Sequence, residues 1–143
     1  MAVSVKTKWL GNMSFESGID GHFIKLDLSR EAGGDDTGPR PKPLLLSAIH
    51  GCSGLDIVSI LKKMRVKAYN FEMDAQAEST QEHPQIYHTI SVTYRFTGEN
   101  LPEDKILKAV SLSVEKYCGV MAMLSAKARI KVLILVNGKE VKQ

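Results

Sequence analysis

Pro41-Lys42-Pro43-Leu44-Leu45-Leu46-Ser47-Ala48-Ile49-His50-Gly51-Cys52-Ser53-Gly54-Leu55-Asp56-Ile57-Val58-Ser59-Ile60-Leu61-Lys62-Lys63-Met64-Arg65 decides how this chain folds. A proline is tolerated at the start of a helix, where its missing N–H would have no partner anyway. A helix is therefore predicted from just after Pro43 to Lys63. Leu44 to Leu61 shows no wide polar face, and a helix apolar nearly all round belongs at the centre of a core. Gly51 and Gly54 lie inside it, each costing about 1 kcal/mol relative to alanine. Close approach of another backbone beside Cys52 would account for them.

Upstream, Ser4–Trp9, Met13–Ser17 and His22–Leu28 alternate apolar and polar residues and are separated by turn residues, the pattern of short paired strands. Residues 29–43 form a loop rich in glycine and proline that carries Glu31, Asp35 and Asp36. Loops of this length are usually functional or disordered, and the acidic part is expected to be solvated and mobile. Downstream, Tyr69–Ala75 and Ile86–Phe96 show the period-two pattern of half-buried strands. A second helix is predicted from Pro102, with Asn100 as its cap and an apolar stripe of Ile106, Leu107, Val110, Val114, Tyr117 and Cys118. A short apolar helix over Val120–Lys127 and a strand Ile130–Val136 ending at Asn137-Gly138 complete an α+β chain: strands, helix, strands, helix, strand.

The 143 residues suit one domain, 1–143. Charge is balanced, 19 Lys+Arg against 16 Asp+Glu, which argues against nucleic acid as the main partner. The first residues lack the apolar core of a signal peptide. The apolar stretches are too short or too interrupted for a bilayer span of about 20 residues, so a cytoplasmic protein without a membrane partner is expected. His22, His50, His83 and His88 show no metal-ligand spacing, and no metal site is expected. His50 reads as a hydrogen-bonded core histidine and Met121–Leu124 as core packing.

Two cysteines, Cys52 and Cys118, exclude a disulfide-dense scaffold and a four-cysteine metal site. On a helix, His50 lies about 200° round from Cys52 and cannot pair with it. Cys52 also sits about 12 Å from the helix start, beyond reach of the helix dipole. A reactive thiolate there calls for a cation from elsewhere, most naturally an arginine, and Asp56 on the same face opposes a thiolate unless it orients such a group. Cys118 belongs to the second helix's stripe. If the two helices pack together, the thiols meet in the core, either as packing residues or as an attacking and a resolving thiol.

The 41–65 segment resembles the first-cysteine helix of the OsmC/Ohr family, and especially the Gly-Cys-x-x-x-Asp pattern of its YhfA-type branch. Ala109-Val110-Ser111-Leu112-Ser113-Val114-Glu115-Lys116-Tyr117-Cys118 resembles the second-cysteine helix, and the element order agrees along the chain. The resemblance implies an intertwined homodimer with sites at the subunit interface, and no metal or organic cofactor. It implies reduction of organic hydroperoxides by Cys52, with Cys118 resolving and an external dithiol, of lipoyl type in some members, as reductant. Well-characterised members carry a glutamate ten residues before the first cysteine, and the YhfA-like branch often has it one residue later; here Lys42 and Pro43 stand there. Arg30, Arg40 and Lys42 are the candidate activating cations. The alternative is a non-catalytic or redox-sensing protein that holds a small apolar ligand at its dimer interface.

Overall fold

The computed structural model describes residues 2–142, so positions 1 and 143 of the expected domain lie outside the described residues. The chain divides into two compact units between Ser47 and Ala48. The predicted central helix, α1, runs Leu44–Lys63 and spans that division.

The first unit holds an antiparallel meander of β1 (Lys6–Gly11), β2 (Ser14–Ile19) and β3 (His22–Leu26). Ile19 pairs with His22, and Asp20 and Gly21 between them have φ of 50° and 78°. That is the two-residue turn whose twist matches paired strands. The loop after β3 is organised, contrary to the mobile segment expected. Asp27, 2% exposed, accepts the Leu28 N–H at 2.7 Å, the Thr37 N–H at 3.1 Å and the Thr37 hydroxyl at 2.7 Å. The Thr37 hydroxyl bond leads in holding the Asp27 carboxyl below the usual carboxylate range. A 3-10 turn, Arg30–Ala32, is capped by the Ser29 hydroxyl, and Asn12 Nδ2 donates to the Gly33 carbonyl at 3.0 Å and to Asp35 at 3.3 Å. Gly34 permits this folding: a Cβ there would run into the Leu28 carbonyl and lie 2.6 Å from Asp27 Oδ1.

The second unit holds a sheet ordered β4-β5-β6-β7, over Asn70–Ser79, Tyr87–Thr97, Arg129–Val136 and Lys139–Glu140. Its outer pairs are antiparallel, whereas β5 and β6 are parallel. A parallel pair needs a long crossover, here supplied by α2 (Glu103–Leu112), a π turn (Ser113–Tyr117) and α3 (Gly119–Leu124). Asn137-Gly138, expected to end the last strand, is the turn into β7, with φ of 49° and 82°. Asn100 does not cap α2; Pro102 holds the cap position without a side-chain bond.

Ile90, Val92, Tyr94 and Phe96 of β5 are buried, as are Ile106, Ala109 and Val110 of α2. Phe71 of β4 stacks on Phe96 with ring centroids 4.4 Å apart. From α1, Ile49, Ser53, Gly54, Ile57 and Leu61 are buried. Burying each large apolar side chain contributes roughly 1.5–3 kcal/mol. The neighbour that crowds Gly54 is a side chain and not the backbone expected: a Cβ there would lie 2.9 Å from Met73 Cε, while Gly51 faces open space. Within one chain α1 is buried on one face only; Leu55 is 76% exposed and Val58 45%. By length and composition alone α1 is apolar enough to span a bilayer, against the expectation from its polar residues. Its inner face, with a serine in a buried hydrogen-bond network, is built as a core helix.

Candidate functional site

Cys52 is half-buried on α1 and Cys118 is buried, 3% exposed, at the junction of the π turn and α3; both are free thiols. Each is a hydrogen-bonding neighbour of the other. The second helix delivers Cys118 differently from the expected stripe. Regular helix ends at Leu112, the Cys118 N–H bonds to the Ser113 carbonyl five residues back at 2.8 Å, and Cys118 itself is extended (φ −75°, ψ 102°). Tyr117, assigned to the stripe, is 53% exposed, and Ser113 is buried in its place.

As the cap of α3, Cys118 Sγ accepts the Met121 N–H at 3.3 Å. Burial nevertheless dominates and pushes the Cys118 thiol up to about 11, with the hydrogen bond to Cys52 also favouring the protonated form. Cys118 is therefore a thiol at neutral pH. A first encounter with an oxidant asks for an accessible thiolate, which the buried, protonated Cys118 does not offer. Cys52 is the more accessible of the two.

Beneath the thiols runs a polar network that the sequence reading missed. Tyr94 Oη lies 2.8 Å from Ser53 Oγ. Ser113 Oγ lies 3.0 Å from Ser53 Oγ and 2.9 Å from Asp56 Oδ2. Ser113 Oγ is the donor toward Ser53 Oγ as well as toward Asp56 Oδ2, and the bond between Tyr94 and Ser53 can run in either direction. Burial leads in raising the Tyr94 hydroxyl to about 12, opposed by its bond to Ser53. The signal available in the sequence was a serine on the inner face of an apolar helix, a second serine on the α2 stripe and a tyrosine on the inner face of β5. Buried hydroxyls must find partners.

Asp56 thus joins the two cysteines, and the partner seen for it is a serine. An open cavity of about 460 Å³ borders Asp56 and is lined also by Ser59, Ile60, Lys63, Met64, Leu112 and Tyr117. His50, expected to be hydrogen-bonded, has its Nε2 buried without a partner among the described residues. Of the Met121–Leu124 cluster only Met121 is buried, and Met123 is 70% exposed. The three candidate cations belong to the first unit. Arg30 opens the 3-10 turn and is exposed, Arg40 is exposed in the loop, and Lys42 is half-buried just before α1.

A profile of the OsmC-like protein family matches residues 33–133. Protein YhfA of Escherichia coli strain K12 is 33% identical over 129 residues, covering 90% of this chain and 93% of the relative. A crystal structure of a hypothetical protein from Aquifex aeolicus VF5 superposes with a TM-score of 0.84 at 30% identity, covering 95% of this chain and 96% of that one. The organic hydroperoxide resistance protein OhrB of Bacillus subtilis shares the fold at a TM-score of 0.63 and 16% identity, over 94% of this chain and 98% of its own.

Proposed function

Because the chain belongs to the OsmC-like protein family, in its YhfA-like branch, we propose that it is a thiol-dependent peroxidase that reduces organic hydroperoxides in defence against oxidative stress. The observation that carries the reading is the pair of free thiols on separate elements, within hydrogen-bonding reach of each other. Cys52 is the attacking group. Its thiolate takes the terminal oxygen of the hydroperoxide, the O–O bond breaks, and the alkoxide leaves as the alcohol after taking a proton. Cys52 is then a sulfenic acid. Cys118 Sγ attacks Cys52 Sγ, the S–O bond breaks, and its proton leaves with the hydroxyl as water. An external dithiol reduces the disulfide and becomes oxidised in turn.

Arg30, Arg40 or Lys42 supplies the charge that favours the Cys52 thiolate in this account, and Asp56 acts through Ser113. The protein works in the cytoplasm as a homodimer. Support for the second copy comes from apolar surface left open in each unit: Trp9 and Phe23 are 62% and 71% exposed in the first, and Leu55 is 76% exposed in the second. Patches of this kind mark association surfaces. Steady turnover of cumene hydroperoxide with dihydrolipoamide, abolished in Cys52→Ser, is the expected result. Equal turnover by the Cys52→Ser protein would refute the assignment.

One observation favours a second reading, a ligand-holding or redox-sensing role. Lys42 and Pro43 stand where related proteins carry the activating glutamate, and the cavity beside Asp56 offers space for a small apolar molecule. A ligand that survives native mass spectrometry, together with absent turnover, would select it.

A further inference from the structure

Ser113 is tied to both thiols at once. Its carbonyl accepts the Cys118 N–H at 2.8 Å, the bond that closes the π turn. Its hydroxyl reaches Ser53 Oγ at 3.0 Å, the Ser53 carbonyl at 3.4 Å and Asp56 Oδ2 at 2.9 Å. Ser53 and Asp56 follow Cys52 on α1 by one residue and by one helical turn. Ser113 is wholly buried, so these bonds are not exchanged with water. The register matters as well. Five residues of α-helix would carry Cys118 about 140° round from Ser113. The wider turn brings both residues to the buried side, which is where an inserted residue of this kind serves a site.

We propose that Ser113 is a positioning residue: its hydroxyl anchors the π turn to the α1 segment that carries Cys52, and its carbonyl holds Cys118 against that thiol. The inference rests on the two-thiol reading above, but not on the oxidant being a peroxide. Its consequence is a high effective concentration of one thiol at the other, of the kind that fixed geometry gives to intramolecular reactions.

The test reads disulfide closure by two routes. In glutathione buffers the reduced chain and oxidised glutathione exchange to the Cys52–Cys118 disulfide and two reduced glutathiones, with no peroxide involved. With cumene hydroperoxide, dimedone traps Cys52 sulfenic acid before closure. In Ser113→Ala the glutathione equilibrium is expected to shift about tenfold toward the dithiol, the scale set by losing hydrogen bonds to a charged group. Closure slows by a similar factor and the dimedone adduct accumulates, with the loss falling on closure more than on Cys52 oxidation. An unchanged equilibrium and closure rate would overturn the proposal. Should Ser113→Ala fail to fold, Asp56→Asn, which keeps a neutral acceptor oxygen, is expected to shift the equilibrium less than Asp56→Ala; equal behaviour of the two overturns it. A chain that leaves peroxide untouched, yet whose glutathione equilibrium shifts in Ser113→Ala, supports the positioning role and rejects the peroxidase reading.

Discussion

Replacing Tyr94 by phenylalanine probes the buried network with little change in volume. Tyr94 is fully buried and its hydroxyl lies 2.8 Å from Ser53 Oγ. The substitution removes one bond between neutral hydroxyls, worth about 1 kcal/mol net. Ser53 Oγ still accepts from Ser113 Oγ at 3.0 Å, so it is not left without a partner. The cost should depend on pH. The Tyr94 hydroxyl is raised from 10.0 to about 12 in the folded chain. A group raised on folding contributes stability that is complete below its unfolded value and is lost as pH climbs through the folded one. Between pH 8 and pH 11 wild type therefore loses about 1.4 kcal/mol at this residue, and the phenylalanine variant loses none of it. At pH 8 the variant should be the less stable by about 1 kcal/mol, and by pH 11 the two should be about equal. Urea unfolding of both proteins at the two pH values, with matched m-values, measures this. A deficit that is the same at pH 8 and pH 11 would refute the account of Tyr94 as a proton held in the core.

Two further outcomes follow from the same geometry. In the Cys52→Ser chain at pH 8, iodoacetamide should alkylate Cys118 about 100-fold more slowly than in the urea-unfolded chain, because burial lifts this thiol from 9.0 to about 11 and the thiolate reacts; equal rates would contradict the buried thiol. Leu55→Asp places a charge on the exposed apolar face of α1 and should convert a dimer to a monomer with unchanged helix content, as measured by light scattering and circular dichroism; a wild-type chain already monomeric at micromolar concentration would reject the dimer.

The central helix was legible almost to the residue, because an apolar run between Pro43 and Lys62-Lys63 has both a start and a stop. The longer strands were legible from alternation, but β7 was not, because Asn137-Gly138 reads equally well as the end of a strand and is the turn between β6 and β7. Nor was the π turn, since an apolar stripe at helical spacing carries no mark of one inserted residue; Tyr117 was therefore placed inward and is exposed. Ser53, Tyr94 and Ser113 were passed over because each is polar on a face read for its apolar residues. Asp27 hid in the same way: one carboxylate, buried by its bonds to Leu28 and Thr37, organises a loop whose composition reads as solvated.

The most direct measurement is a thiol count after one equivalent of cumene hydroperoxide per chain. The account predicts that both free thiols disappear, that peptide mapping finds a Cys52–Cys118 bridge, and that the peroxide is recovered as its alcohol. Two free thiols remaining per chain, with the peroxide intact, would contradict it.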